Sequence, residues 1–277
     1  MDRHRRRHSE PYRADGGSQG ASSTPARTAT ADDRLAPTED VPRDAVLALE
    51  DVDSGYGELQ VLYDLSVHLG GEEIVCLIGP NGAGKSTVLR TAFGLNAPWS
   101  GEVYFDGEPI GGTEPADLVR MGLGFVPQTD NVFGSLTVEE NLRMGGVARE
   151  SGLGSVIETL YDRFSILDEK RRAKAKTLSG GQRQVLALAR ALVMEPDVLF
   201  VDEPSAGLAP SIVDEVFENV RTVNDMGTSV LMVEQNARDG LAISDRGYVL
   251  DQGTVRFEGP ADELLDNPQV SELYLGG

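Results

Sequence analysis

The chain has 277 residues, of which 40% are hydrophobic, and it carries a net charge of −20. This length accommodates one large domain or two small ones, and no apolar run approaches the ~18 residues that span a bilayer. Proteins bind the phosphates of nucleic acids through a basic surface. The acidic composition of this chain therefore argues against nucleic acid as a main partner. The single cysteine, Cys76, cannot form an internal disulfide, which is typical of a cytoplasmic protein.

The first 45 residues differ in composition from the rest. The basic stretch Arg3–His8 is followed by Ala, Ser, Thr, Gly, Pro and Asp without hydrophobic periodicity. Residues 1–45 are therefore predicted to form a disordered N-terminal extension, and residues 46–277 one domain. The basic stretch has three interpretations, which are contact with anionic lipid, an unstructured extension or a misassigned start codon. No apolar stretch follows it, so we expect no secretory signal.

The distribution of positive charge is also unusual. Only four residues are lysine, and arginine supplies nearly all other positive charge. An acidic, lysine-poor composition resembles the proteins of salt-loving (halophilic) cells, in which high ionic strength screens the self-repulsion of the chain. We therefore hypothesise adaptation to high cytoplasmic salt. The lysines are Lys85, Lys170, Lys174 and Lys176.

Short β-like runs at 46–52 and 61–69 precede a glycine-rich loop. An apolar run at 73–78 predicts a buried strand before the loop, and residues 87–93 after it are spaced like a helix. In this context, the loop fits the phosphate-binding pattern G-x-x-x-x-G-K-[ST]. Lys85 is predicted to reach the β- and γ-phosphates of ATP, and the Ser86 hydroxyl to ligate Mg²⁺. The loop residues are Gly79, Pro80, Asn81, Gly82, Ala83, Gly84, Lys85, Ser86 and Thr87.

The middle of the chain is predicted to be mainly helical. Thr137–Glu140 fits a capping box, which marks the start of a helix. Residues 129–178, approximately, are expected to form a helical subdomain that ends in the segment Leu178–Gln182, with the sequence Leu-Ser-Gly-Gly-Gln. The elements predicted here are a strand near 102–106 and helices near 114–121, 151–164, 166–175 and 182–194.

The run Val198–Glu203 predicts a buried strand that ends in two carboxylates. Ligands of open α/β sheets bind at that edge. Asp202 is predicted to hold Mg²⁺ and Glu203 to polarise the attacking water, because a carboxylate bound to the metal is a poor base. The alternative is a pair of solvated acids, which the flanking phosphate loop and glycine-rich segment make less favoured. Further predicted elements are a helix near 210–226, a strand at 228–233, a helix near 236–243 and a hairpin at 247–258.

These three motifs, in this order, resemble the ABC ATPase family. The resemblance covers residues 46 to the C-terminus and implies an α/β fold: a P-loop NTPase with a RecA-like core, an antiparallel β subdomain and a helical signature subdomain. It also implies that a facing subunit is needed, because the signature segment of one ABC ATPase binds the nucleotide held by the other. The residues that would contact the partner's ATP are Ser179, Gly180, Gly181 and Gln182.

Three more positions match the family. Tyr56 stands where an aromatic residue stacks on adenine, although a turn tyrosine that packs locally is the alternative. Gln128 matches the Q-loop glutamine, which contacts Mg²⁺ and the attacking water. The segment 205–210 matches the D-loop, which crosses the interface between the two ATP sites. Soluble ABC ATPases of ribosomes or DNA are less favoured, because they usually carry two ATPase halves or long coiled coils.

Position 235 departs from the family pattern. Most ABC ATPases place a histidine there that contacts the γ-phosphate, whereas this chain has Gln235. An amide donates a hydrogen bond to phosphate but cannot carry the charge of an imidazolium. Two interpretations stay open. The change either weakens hydrolysis, as in a weakly catalytic regulatory subunit, or is tolerated because Glu203 is present.

The segments 203–210, 233–236 and 272–277 resemble the shorter ATPase subunit of branched-chain amino-acid importers. Importers of urea and short amides share close relatives of these segments and stay an alternative. The resemblance favours a longer paralogue as the second ATPase subunit, and a pair of identical subunits is the alternative. It also implies two transmembrane permease subunits and an external solute-binding protein, with this chain peripheral to the cytoplasmic face of the membrane. Val132 and Phe133 are candidates for contact with the permease, and core packing is the alternative for both.

Overall fold

The structure is a computed structural model, and it describes Pro42 and residues 45–274. The extension predicted over 1–45 lies outside the described residues except for Pro42 and Ala45, and so do residues 275–277 of the C-terminal motif. The described part contains ten strands in two sheets. The strands are β1 Leu47–Tyr56, β2 Leu59–Leu69, β3 Ile74–Ile78, β4 Ser100–Phe105, β5 Glu108–Pro109, β6 Leu123–Val126, β7 Val198–Asp202, β8 Ser229–Val233, β9 Arg246–Asp251 and β10 Thr254–Pro260.

The first sheet is antiparallel, with the strand order β2-β1-β4-β5. Its register places Leu47 opposite Leu69 and Leu49 opposite Val67, and all four side chains are buried. Side chains of a strand alternate between two faces, so these pairs line one buried face of the sheet. The predicted runs at 46–52 and 61–69 are therefore confirmed as strands, and both extend further than the sequence indicated.

The second sheet has the order β10-β9-β3-β8-β7-β6, and its members from β9 to β6 run parallel. Every residue of β3, β7 and β8 is buried. Parallel strands that are covered on both faces have continuously apolar sequences, which is why these three strands could be predicted. Their carboxyl ends meet at one edge, where Asp202 is in register with Val233. This edge carries the residues on which function was predicted to depend.

Ten α-helices complete the described part of the chain. Most agree with the sequence prediction within a few residues, whereas the two C-terminal helices were not predicted. The helices are α1 Lys85–Ala92, α2 Pro115–Met121, α3 Val138–Gly145, α4 Leu153–Arg163, α5 Ser165–Glu169, α6 Gly180–Leu192, α7 Pro210–Asn224, α8 Ala237–Ala242, α9 Ala261–Asp266 and α10 Pro268–Tyr274.

The capping box predicted at the start of α3 is confirmed. The Thr137 hydroxyl accepts a hydrogen bond from the Glu140 N–H at 3.2 Å, and the Glu140 carboxylate accepts one from the Thr137 N–H at 2.7 Å. Each side chain thus satisfies a backbone donor that the first helical turn leaves free. The same bonds lower the pKa of Glu140.

The helix predicted over 166–175 is wrong beyond Glu169, where α5 ends. The next residues pair instead with the strand-like entry to α3. The Val138 N–H donates to the Ala173 carbonyl at 3.0 Å, and the Ala175 N–H donates to the Leu136 carbonyl at 2.9 Å. Residues 170–176 also carry five positive charges without an acid, and like charges one turn apart destabilise a helix.

The core lies on both faces of the parallel sheet. In β3, Ile74 and Cys76 point into the cluster shared with the helical region, whereas Val75 and Leu77 point into the cluster shared with the antiparallel sheet. The two-residue period of a strand divides these side chains between the layers. No helix among the described residues combines the length and apolarity that crossing a membrane requires.

Candidate functional site

The phosphate loop joins the carboxyl end of β3 to α1. Gly79 has φ +148°, and a Cβ there would lie 2.2 Å from the Leu250 carbonyl oxygen. Gly84 caps α1 at φ +102°, and a Cβ there would lie 2.8 Å from the Leu62 side chain. Both positions therefore require glycine, on grounds of space and of backbone conformation. The result is a tight curl of backbone at a helix N-terminus, which suits an anionic group.

Lys85 lies inside this curl. Its Nζ donates to the Gly79 carbonyl at 2.8 Å and to the Pro80 carbonyl at 3.2 Å, and only 4% of the residue is exposed. Burial lowers the pKa of Lys85, and the nearby Glu203 carboxylate opposes that shift. A phosphate group is a better partner for this ammonium than two neutral carbonyls, so the cradle fits a triphosphate.

The predicted metal ligands are in contact with each other. The Ser86 hydroxyl donates to Asp202 Oδ1 at 2.9 Å, across the gap between α1 and the end of β7. Burial raises the pKa of Asp202, and the bond from Ser86 opposes this. A hydroxyl oxygen beside a carboxylate oxygen is the type of donor set that Mg²⁺ prefers. The residues present therefore fit the ion.

Glu203 follows β7 in an unusual backbone conformation. Its φ is +46°, in the left-handed region that non-glycine residues rarely adopt. The Glu203 N–H donates to the Val233 carbonyl at 3.0 Å, and its carboxylate accepts from Gln128 Nε2 at 2.7 Å. The structure thus brings the predicted base and the predicted Q-loop glutamine into direct contact.

Tyr56 is the last residue of β1, and 45% of it is exposed. Its hydroxyl lies 3.4 Å from Thr87 Oγ1, at the end of the phosphate loop. Its half-exposed ring is compatible with the stacking on adenine predicted from the resemblance. The role of Tyr56 in nucleotide binding stays a prediction.

The signature segment forms the start of α6. Ser179 is the N-cap, and Ser179 and Gln182 form a second capping box with backbone bonds of 3.2 and 3.1 Å. A Cβ at Gly180 would lie 2.6 Å from Leu208, and one at Gly181 would lie 2.5 Å from Ile212. The two glycines therefore let the positive end of α6 pack against the D-loop and the start of α7.

Gly181→Ala should disturb this packing. The new methyl group must displace the branched side chain of Ile212, and overpacking of this kind costs about 1–3 kcal/mol of stability. We expect a lower melting temperature and slower ATP turnover in the assembled protein. Gly154→Ala is the matched control, because a Cβ there meets nothing within 4 Å, so that variant should keep the turnover of the wild type. Equal behaviour of the two variants would contradict the close approach at Gly181.

Gln235, the predicted switch residue, is exposed just beyond β8. It lines a cavity of about 410 Å³ together with Ser205 and Leu208 of the D-loop. The preceding residue, Glu234, was not singled out from the sequence, yet it is 1% exposed and bonds to Ser205. A carboxylate directly after an apolar strand, next to a recognised switch position, was the signal that could have revealed it.

Residues 62–206 match the family model described as ABC transporter, and this span contains the phosphate loop, the signature segment and both carboxylates. The chain belongs to the ABC transporter family. Its ATP-binding relatives include a high-affinity branched-chain amino-acid transport ATP-binding protein, BraG, of Pseudomonas aeruginosa. The two are 41% identical over 233 residues, which is 84% of this chain and 100% of the relative.

Other relatives and solved structures agree with the family. A probable branched-chain amino-acid transport ATP-binding protein, LivF, of Archaeoglobus fulgidus is 40% identical, with 81% of this ABC protein and 96% of the relative covered. A crystal structure of an ABC transporter cassette in its ADP conformation superposes with a TM-score of 0.75 at 30% identity, covering 84% of this chain and 99% of that one. The P-loop ABC ATPase fold expected from the sequence is confirmed.

Proposed function

We propose that the chain is the ATP-hydrolysing subunit of an importer for branched-chain amino acids. The observation that supports ATP hydrolysis is the convergence of Lys85, Ser86, Asp202 and Glu203 at one sheet edge, where Lys85 bonds to the glycine-rich cradle and Ser86 bonds to Asp202. The solute is inferred from the names of relatives that are 41% and 40% identical over more than four fifths of the chain.

The site residues have separate roles in this proposal. The loop N–H groups and Lys85 bind the phosphates, while Ser86 and Asp202 hold Mg²⁺. When bound, the ion neutralises charge on the phosphate oxygens. Glu203 takes a proton from the attacking water, and Gln128, which already donates to the Glu203 carboxylate, orients that water. Gln235 donates a hydrogen bond to the γ-phosphate.

A second ATPase subunit completes the site. In the proposed head-to-tail pair, Tyr56 stacks on the adenine, and Ser179 of the facing subunit contacts the same nucleotide. The signature of this chain packs against Leu208 of its own D-loop and against Ile212 of α7, which leaves the exposed Ser179 for a partner. The longer paralogue predicted from the resemblance is the proposed partner.

The proposed permease contact lies in an apolar groove of about 500 Å³ between α1, β6 and the helical region. The two residues that the sequence suggested for this contact differ in their exposure. Val132 is partly buried against the core, whereas Phe133 is 47% exposed in the groove, with the Arg190 guanidinium 5.0 Å from its ring centre. We propose that a cytoplasmic permease helix binds in this groove and that the chain lies at the cytoplasmic face of the membrane.

The test is ATP turnover of the assembled complex with and without leucine-loaded solute-binding protein. Stimulation by leucine is the expected result. Basal turnover that leucine does not stimulate would indicate that the solute is urea, a short amide or another compound. Nucleotide binding without turnover would indicate a regulatory subunit. The same assay in dilute buffer and in molar KCl tests the salt hypothesis, because equal activity in both would contradict it.

A further inference from the structure

We infer that Glu234 is a positioning residue, which holds the base Glu203, the D-loop and the switch residue Gln235 in one hydrogen-bonded unit. The inference rests on the proposed ATPase function and adds a residue to its machinery. Glu234 stands between β8 and Gln235 and is 1% exposed. A charged side chain so deeply buried needs several partners, and its partners identify its role.

The Glu234 carboxylate accepts four hydrogen bonds. Oε1 accepts from the Ser205 N–H at 2.9 Å, and Oε2 accepts from the Ser205 hydroxyl at 2.9 Å. Oε2 also accepts from the N–H groups of Gln235 at 3.1 Å and of Asn236 at 3.4 Å. Two donors thus come from the D-loop and two from the switch segment, and one carboxylate joins them.

The bond to Ser205 bears on Glu203, two residues earlier in the chain. Glu203 has a left-handed backbone, a strained conformation that persists only where the surroundings fix it. On one side, the Val233 carbonyl accepts its N–H. On the other side, Pro204 leads directly to Ser205, which Glu234 holds through both of its donors. Neighbouring positions 233 and 234 therefore fix both flanks of the predicted base.

The Glu234 side chain itself has little freedom. A Cβ at Gly240 on α8 would lie 3.0 Å from Glu234 Cβ and 2.9 Å from Cys76 Sγ, so the helix backbone packs closely over the carboxylate stem. Burial raises the pKa of Glu234, and the Ser205 bonds oppose that shift. Only the ionised carboxylate accepts from all four donors without offering one of its own.

The test is Glu234→Gln in the assembled complex. The amide NH₂ must face at least one of the four donors, which weakens the link between the D-loop and the switch while the side-chain shape is kept. We expect kcat to fall at least about tenfold, with ATP affinity and melting temperature little changed. Asp239→Asn is the matched control, because this acid lines the same cavity and its carboxylate bonds to the Asn236 side chain rather than to Ser205. It should keep the turnover of the wild type.

Two double variants separate positioning from general stability. If Glu234 acts through Glu203, Glu203→Gln/Glu234→Gln should turn over no more slowly than Glu203→Gln alone. Ser205→Ala, which removes only the hydroxyl donor, should lower kcat less than Glu234→Gln does. In the double variant Ser205→Ala/Glu234→Gln, the two losses of kcat should not add. If Glu234→Gln fails to fold, Ser205→Ala becomes the test. A lower kcat with unchanged ATP affinity in that variant would support the inference, and an unchanged kcat would overturn it.

Three outcomes overturn the inference. They are wild-type kcat in Glu234→Gln, a parallel loss of ATP affinity and melting temperature, and additive losses with Glu203→Gln. The proposed function fails separately, when Glu203→Gln itself leaves turnover unchanged. That result would overturn both the proposal and the inference, whereas wild-type kcat in Glu234→Gln alone would overturn only the inference.

Discussion

Glu203→Gln should reduce ATP turnover at least about a hundredfold and leave ATP bound in a closed dimer. Glutamine keeps the shape of the side chain, and its oxygen still accepts from Gln128 Nε2, which lies 2.7 Å from the native carboxylate. The amide cannot take a proton from water, so the reaction stops after nucleotide binding and before bond cleavage. Turnover is measured by phosphate release, and the dimer by size-exclusion chromatography with ATP.

Glu215→Gln is the control for this variant. Glu215 is an exposed acid on α7, so the same change of charge there should leave turnover and dimer formation as in the wild type. If Glu203→Gln hydrolyses ATP at the wild-type rate, Glu203 is not the base and the proposed mechanism is wrong.

Lys85→Ala should weaken ATP binding at least about tenfold, before any effect on catalysis is considered. The substitution removes a hydrogen-bonded charge, worth about 1.5–3 kcal/mol, from a position that is 4% exposed. It also leaves the Gly79 and Pro80 carbonyls without the donor that they have in the structure. Equilibrium binding of a fluorescent ATP analogue measures the change directly.

Lys170→Ala is the matched control, since it removes the same charge from an exposed turn in the helical region. It should bind ATP as the wild type does. Because turnover is not the readout, the result does not depend on whether Gln235 weakens hydrolysis. Normal ATP affinity in Lys85→Ala would count against the phosphate-loop interpretation.

The parallel sheet and the phosphate loop were predictable because their signals are local. β3, β7 and β8 are continuous apolar runs, and the strand–loop–helix context of Lys85 is contained in some twenty neighbouring residues. β6 was missed because it has four residues, one of them glycine, and takes its place in the sheet only by pairing with β7. Its existence depends on tertiary contact.

The same distinction explains the error after α5 and the omission of Glu234. Residues 170–175 have good helix formers, but their backbone pairs with residues 136–138, which lie more than thirty positions earlier. Glu234 looks like one acid among many in a chain with 45 of them. Two of its four donors belong to Ser205, which is 29 positions earlier in the chain. Only the folded structure brings Ser205 next to Glu234.

Because of the left-handed backbone at Glu203, a substitution that stabilises the protein at this residue can also abolish its activity. Glycine adopts a φ of +46° without steric penalty, so Glu203→Gly relieves strain at that residue and removes the predicted base in the same step. A screen that rewards heat resistance alone would therefore favour inactive chains at this position. Engineering of a hardier transporter should hold residue 203 fixed and seek stabilising changes elsewhere.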